Sequence, residues 1–360
     1  MRQESTDFRS VCRDLTRWYT QNARVLPWRQ TTDAYAIWVS EVMLQQTRVD
    51  TAIPYFLRFM QAFPTPEALA QADEQDVLAC WQGLGYYRRA RMLRQGAVAV
   101  CARGAMPTTC EELRGIPGIG AYTAGAIASI AFGEAVPAVD GNLRRVFARW
   151  LACKQPVDRP QGSRLIETAA QEAVSAAASQ GIAPGIWNQA IMELGATVCK
   201  PLSPACEACP VAGMCAARAQ GCEAELPLLT PKKPPVAEDW AVAVVRCGNG
   251  VWLLKRPDEG LLARMWSFPM LREAGPQALA DDLRDAGIDA RLIGQLPDAK
   301  HVFTHRIWRM QGWFFEAEGD ALPQGAWTLA DQAALTALPM PTALRVYREE
   351  AVRLLAPPAP

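Results

Sequence analysis

Apolar side chains recur at three- and four-residue intervals through the first 220 residues and then change to alternation. In DAYAIWVSEVMLQQTRV (33–49), Tyr35, Trp38, Val39, Val42 and Met43 share a helical face. AYTAGAIASIAFG (121–133) predicts a second helix, entered through a glycine-rich turn and stopped at Gly133, and GIWNQAIMELGATVC (185–199) predicts a third. The proline-rich CEAELPLLTPKKPPVAED (222–239) has no period and reads as a linker. Beyond it, DWAVAVVRCGNGVWLLKRP (239–257) reads as two strands around a Gly-Asn-Gly turn, PQALADDLRDAG (276–287) as a helix and RIWRMQGWFFEAEG (306–319) as a strand. The pattern predicts a mainly α chain: a helical domain over 1–220, a linker over 221–236, a small α+β domain over 237–348 and a tail over 349–360 that ends in APPAP.

Composition narrows this picture only a little. The 360 residues leave room for two or three domains, and a chain half apolar and 21% charged is that of a soluble globular protein. No apolar run reaches the roughly 18–20 residues of a membrane span, and the polar N-terminus lacks a signal-peptide core. The expectation is a cytoplasmic protein with no membrane partner. With 37 basic and 37 acidic residues the net charge is zero, which gives no support for a nucleic-acid partner. Two local runs, RRARMLR (88–94) and RRVFAR (144–149), read either as solvated helix faces or as phosphate contacts.

Cysteine spacing is the first chemical signal. Cys199, Cys206, Cys209 and Cys215 are separated by six, two and five residues. Four clustered thiolates suit zinc or an iron–sulfur cluster, and a single two-residue gap fits the paired C-x₂₋₄-C pattern of zinc sites less well than it fits a [4Fe–4S] cluster. A structural role, shaping the loop after the last helix, requires no electron transfer.

A glycine turn supplies the second signal. LRGIPGIGAYTAGAI (113–127) has the pattern of a helix-hairpin-helix in which Gly118 and Gly120 allow positive φ, and its amides and helix N-terminus could hold one DNA phosphate. A plain packing turn remains the alternative. AVPAVDGNLRRVF (135–147) then places Asp140 at a helix start with Asn142 two residues on; a capping role leaves one carboxylate oxygen free for chemistry.

Taken together, the hairpin, the VDGN aspartate and the cysteine cluster resemble the endonuclease III superfamily of helix-hairpin-helix DNA glycosylases. LPWR (26–29), SEVMLQQTRV (40–49), GLGYYRRAR (83–91) and GLLARMWSFP (260–269) are similar to its adenine-excising branch, and the resemblance covers about 10–348. It implies a two-lobed helical glycosylase domain with a [4Fe–4S] loop, followed by a Nudix-like domain. It also implies base excision of adenine opposite 8-oxoguanine or guanine in double-stranded DNA, by a monomer, after flipping the base out of the stack.

The resemblance carries roles to particular residues. Glu41, with Trp38 and Leu44 one turn to either side, would hold a proton near neutral pH, protonate adenine N7 and later assist water. Asp140 would stabilise the oxocarbenium ion, directly or through a covalent intermediate, with Asn142 placing Asp140 or the water. Tyr122 stands where lyase relatives carry lysine; a phenol forms no Schiff base, so the strand should stay uncut. Trp28, Arg29 and Gln189 would surround the flipped base, while Gln46 and Tyr86 would act as wedges. The C-terminal region lacks the acidic Nudix helix, since Asp281, Asp282 and Asp285 have the wrong spacing. Its Phe303, Thr304 and His305 would recognise 8-oxoguanine, with threonine where relatives have serine.

Overall fold

The computed structural model describes residues 8–231, 233–318, 323 and 325–356, with the side chain of Arg9 excepted. Contacts divide the chain into two units: Met1–Ala72 with Met92–Pro231, and Asp73–Arg91 with Lys232–Pro360. Among the described residues no helix is long and apolar enough to cross a membrane.

The first unit is helical. One lobe is built on a core where Phe8–Asn22, Gly141–Trp150, Pro160–Ser179 and Pro184–Thr197 meet through Leu15, Phe147, Ile166 and Trp187. The other contains Ala34–Leu44, Val49–Ala62 and Ala121–Phe132. Asp33 caps the first of these by accepting from the amides of Tyr35 and Ala36 at 3.1 and 3.2 Å. Every residue from Tyr35 to Met43 is buried, so apolar positions run all round this helix rather than along one stripe. The helix ends at Leu44, five residues short of the periodic stretch, because Gln46 adopts a left-handed conformation (φ 59°) that a helix cannot continue through. Helices Ala34–Leu44 and Pro184–Thr197 both pack on Ala121–Phe132, and the open space between the lobes lies beside that junction.

The second unit carries a mixed sheet of strands β1 (Val236–Cys247), β2 (Gly250–Lys255), β3 (Trp266–Ser267), β4 (Met270–Arg272), β5 (Ala290–Val302), β6 (Arg306–Ala317) and β7 (Trp327–Ala330). The order is β3-β2-β1-β6-β5, with β1 and β6 parallel, β4 on β1 and β7 on β2. Alternation along β1 explains the layers. Ala241, Ala243 and Val245 face helix Pro276–Asp285 through Leu279 and Leu283; Val242 and Val244 face helix Arg345–Leu355 through Tyr347 and Ala351.

Three boundaries differ from the sequence reading. The expected linker is partly anchored to the helical unit, where Arg149 Nε donates to Leu226 O at 3.0 Å, Val157 N donates to Leu228 O at 3.0 Å, and Asp158 accepts from Thr230 N. Residues 73–91 group with the C-terminal unit. The expected tail is helical as far as Leu355 because Tyr347 and Ala351 anchor it in the core; residues 357–360 lie outside the described residues.

Candidate active site

Glu41, Tyr122, Asp140, Asn142, Trp28, Arg29, Gln189 and Gln46 all line one cleft of about 640 Å³ in the helical unit. Five helices deliver them, Pro27–Arg29, Ala34–Leu44, Ala121–Phe132, Gly141–Trp150 and Pro184–Thr197, together with the turn at Gln46.

Glu41 sits on the buried helix Ala34–Leu44 and is 5% exposed. Tyr122, in the first turn of Ala121–Phe132, donates its hydroxyl to Glu41 Oε2. Burial pushes the Glu41 carboxyl up to about 7; the Tyr122 hydrogen bond opposes this, and the nearby Asp140 charge adds to it. A carboxyl in this state holds its proton near neutral pH. The phenol of Tyr122 is held well above its ordinary value, first by burial and then by the two carboxylates, so it stays a donor.

Asp140 has extended backbone and caps Gly141–Trp150, with Oδ1 accepting from Leu143 N at 2.6 Å. Its Oδ2 accepts from Asn142 Nδ2 at 2.9 Å. Burial raises this carboxyl above its ordinary value, while the Leu143 and Asn142 hydrogen bonds and Arg145 oppose the rise. Asn142 in turn accepts from Arg145 Nη2 at 2.8 Å, and Arg145 also donates to Gly195 O and Cys199 O. Capping engages one oxygen and Asn142 the other, so the carboxylate oxygen expected to be free has a partner, while Asp140 still lines the cleft.

Behind Arg24 and Arg29, which line the cleft, stands a carboxylate that sequence reasoning missed. Glu193 is fully buried and accepts from Arg24 Nε at 2.7 Å, Arg24 Nη2 at 2.9 Å and Arg29 Nη2 at 2.8 Å. Burial acts to raise its carboxyl, but the bonds from the two arginines outweigh this and hold it below its ordinary value. Arg29, expected at the base, is thus also half of a buried ion pair. Gln189 Oε1 accepts from Tyr19 Oη at 3.0 Å, and the Arg29 guanidinium lies 5.5 Å from the Tyr19 ring centre. The one signal for Glu193 was a carboxylate inside an apolar helix; its partner Arg24 is 169 residues away and left no trace in the spacing.

Gly118 and Gly120 are in the hairpin turn and do not line the cleft. Gly118 has φ 83°, and a Cβ there would lie 2.9 Å from Met92 Cβ. Gly120 departs from the expectation: φ is −84°, because it serves as the helix N-cap and needs no left-handed backbone. Among the described residues, nothing beyond its own chain neighbours would come within 4 Å of a Cβ at Gly120, so the helix start is open. The run 144–149 departs from its readings at two of its three arginines; Arg144 stays partly exposed, donating to Ser163 Oγ at 2.8 Å and Glu167 Oε1 at 3.4 Å. Arg145 and Arg149 are 8% and 1% exposed, turned inward rather than toward solvent or phosphate.

Cys199, Cys206, Cys209 and Cys215 line a hollow with Arg149 and Leu194. Arg149 Nη1 lies 3.2 Å from Cys199 Sγ and 2.7 Å from Lys200 O, and Nη2 lies 2.9 Å from Pro201 O; no carboxylate pairs with it among the described residues. A buried cation facing sulfur suits ligands that carry net negative charge. Burial pushes the Cys209 thiol up to about 11 and raises those of Cys206 and Cys215; iron binding would displace these protons to solvent as thiolate–iron bonds form. Among the described residues no three His, Cys, Asp or Glu side chains close on one ion-sized point. Four cysteines around one hollow, beside a buried arginine, suit a [4Fe–4S] cluster, in which each sulfur would bind a separate iron.

Tyr86, Phe303, Thr304 and His305 lie elsewhere, around a hollow of about 450 Å³ within the second unit. Tyr86 and Thr304 share a hydrogen bond at 3.0 Å between their hydroxyls. Tyr86 is 48% exposed and has φ 50°. Arg89 supports it, with its guanidinium 5.3 Å from the Tyr86 ring and 5.5 Å from the Trp81 ring, and a bond to Gly85 O at 3.1 Å. Gln46 and Tyr86, the two expected wedges, are both non-glycine residues held in the left-handed region, where strain often marks function. Asp281 is committed to Arg284 at 3.0 Å and Gln277 at 3.3 Å on the surface of its helix.

Comparison with known proteins follows the same division. Residues 39–174 match the HhH-GPD superfamily of base excision DNA repair proteins, 199–215 the iron–sulfur binding domain of endonuclease III, and 241–350 a NUDIX domain. The chain is 37% identical to the adenine DNA glycosylase of Homo sapiens, over 96% of this chain and 74% of that protein. It is 36% identical to the protein of that name from Rattus norvegicus (95% and 79%), and 31% identical to one from Buchnera aphidicola of Acyrthosiphon pisum (81% and 82%). A thermostable thymine-DNA glycosylase superposes with a TM-score of 0.52 at 22% identity, over 61% of this chain and 100% of its own. An endonuclease III trapped as a covalent intermediate with DNA gives 0.51 at 20%, over 61% and 99%. At these identities the structural likeness is one of fold.

Proposed function

Because this chain belongs to the adenine DNA glycosylase family and excises adenine in base excision repair, we propose that its substrate is the adenine opposite 8-oxoguanine, and less readily opposite guanine. The single observation that carries the chemistry is the pairing of a buried, proton-holding Glu41 with a capped Asp140 in one cleft.

Breaking the C1′–N9 bond leaves positive charge on the sugar and sends an electron pair to the base. Glu41 gives its proton to adenine N7, so the base departs neutral. Asp140, ionised and oriented by Leu143 N and Asn142, stands against the sugar cation. Water adds to C1′ and its proton returns to the Glu41 carboxylate. The division of labour is that of two carboxyl groups in glycoside hydrolysis. Tyr122 keeps the Glu41 carboxyl oriented and offers no amine, and no lysine is among the described residues lining the cleft, so cleavage of the strand is not part of the reaction.

Gln189 and Arg29 face the flipped base, while Gln46 fills the gap in the stack. Tyr86 and Thr304 read the opposite 8-oxoguanine, Phe303 and His305 shape that hollow, and one copy of the chain suffices. Cys199, Cys206, Cys209 and Cys215 hold a [4Fe–4S] cluster, which when bound anchors the loop 199–215 and takes no part in bond breaking.

The test is single-turnover excision from three duplexes of one sequence: adenine opposite 8-oxoguanine, adenine opposite guanine, and cytosine opposite 8-oxoguanine. Fast, slower and no release are expected, in that order, with strand breaks appearing only after alkali. Equal rates for the first two would remove the 8-oxoguanine assignment, and strand breaks without alkali would remove the hydrolytic one.

A further inference from the structure

Asn188 is fully buried in helix Pro184–Thr197, one residue before Gln189, and none of the chemistry above uses it. All the contacts of its amide are to elements that deliver the reacting groups. Oδ1 accepts from Ala138 N at 3.1 Å, while Nδ2 donates to Val136 O at 2.9 Å and to Ser129 Oγ at 2.8 Å.

Residues 133–139 belong to no helix or strand, yet they lead directly into Asp140; helices hold the start of the segment, with Glu134 N donating to Ala128 O at 3.0 Å and Gln171 Nε2 to Ala135 O at 2.7 Å, and Asn188 holds the part next to Asp140. By accepting an N–H from Ala138 and donating to the carbonyl of Val136, the Asn188 amide supplies what a neighbouring strand would supply. The Pro137 carbonyl between these two residues packs against Gly125 of the hairpin helix, so closely that a Cβ at Gly125 would lie 2.4 Å from that oxygen. The third contact, to Ser129, reaches the same helix two turns beyond Tyr122. One side chain thus joins the helix of Gln189, the helix of Tyr122 and the segment that ends in Asp140.

We propose that Asn188 is a positioning residue for Asp140, fixing the carboxylate against the sugar by holding residues 136–138 in register with the hairpin helix. The inference rests on Asp140 being the anion that faces the sugar cation. Loss of the amide would leave the Ala138 N–H and the Val136 carbonyl unpaired in the interior, and the segment would shift to satisfy them. A shift of an ångström at a charged group is enough to lose most of its effect on a developing cation.

The probes are two duplexes with 8-oxoguanine opposite an abasic analogue, one a cationic pyrrolidine and the other a neutral tetrahydrofuran. Wild-type protein should bind the cationic analogue more tightly, and Asp140→Asn should abolish that preference. Asn188→Ala should weaken the preference by roughly tenfold, while its affinity for the tetrahydrofuran duplex stays within about twofold of wild type. Asn188→Asp keeps the shape and the acceptor but loses both donors, and should move the preference in the same direction if the alanine variant does not fold. A preference kept by the Asn188 variants but lost in Asp140→Asn overturns the inference alone. A preference kept in Asp140→Asn overturns the role of Asp140, and the inference with it.

Discussion

The cleft around Glu41 and the hollow around Thr304 are built on opposite principles. In the cleft the two carboxyls proposed to react are held in place: Glu41 is 5% exposed, and a backbone amide and a neighbouring side chain hold the half-buried Asp140. In the hollow the groups proposed to read 8-oxoguanine stand at the surface. Tyr86 is 48% exposed on left-handed backbone, and its partner Thr304 is 218 residues away. Bond breaking needs a proton held against solvent and a charge fixed in place, which burial and capping supply. Reading a base that stays in the duplex needs side chains that protrude. The difference teaches that chemistry and recognition in this chain should respond differently to mutation and to pH.

The sharpest way to break that comparison is Glu41→Gln. The amide keeps the shape and cannot donate the proton, so single-turnover excision should fall by about 10² to 10⁴ while duplex affinity stays near wild type. Retention of more than about a tenth of the rate would reassign the acid.

The same substitution should change stability in a pH-dependent way. The Glu41 carboxyl is raised from 4.5 to about 7 in the folded chain, mainly by burial. Between those values the folded state keeps a proton that the unfolded state has lost, so this group's contribution to stability falls as pH rises from 4.5 toward 7. Glu41→Gln removes the penalty. Relative to wild type it should be more stable at pH 8, by at most roughly 3 kcal/mol, and the gain should vanish near pH 4. Denaturant melts at both pH values test this; a gain independent of pH would mean the carboxyl is not the source.

A smaller effect tests the other half. Thr304→Val keeps the volume and removes the hydroxyl, so the preference for 8-oxoguanine over guanine should drop by roughly two- to tenfold, the worth of one hydrogen bond. Excision of adenine opposite guanine should be little changed. Equal loss on both duplexes would place Thr304 in general binding rather than recognition.

How much of this was legible in the sequence follows the same line. Glu41 and Asp140 carry local signals, one a carboxylate in an apolar helix and the other an aspartate before a glycine at a helix start, and both lie in the cleft as read. The helices 121–132 and 184–197, and the paired strands after 236, also followed from their periods. What could not be read was mostly long-range. Glu193 with Arg24, Arg149 with the sulfur of Cys199, and Asn188 with Ala138 each depend on partners between 50 and 169 residues away. The end of helix Ala34–Leu44 was missed for another reason: the left-handed turn at Gln46 has no glycine to announce it.

The most direct test of the central claim is the pH dependence of single-turnover excision from adenine opposite 8-oxoguanine. Glu41 must be protonated to act, and its carboxyl sits at about 7. The rate constant should hold below that value and fall about tenfold per pH unit above it. A rate that stays flat from pH 6 to 9, or rises across that range, would contradict the claim that a buried, protonated Glu41 delivers the proton.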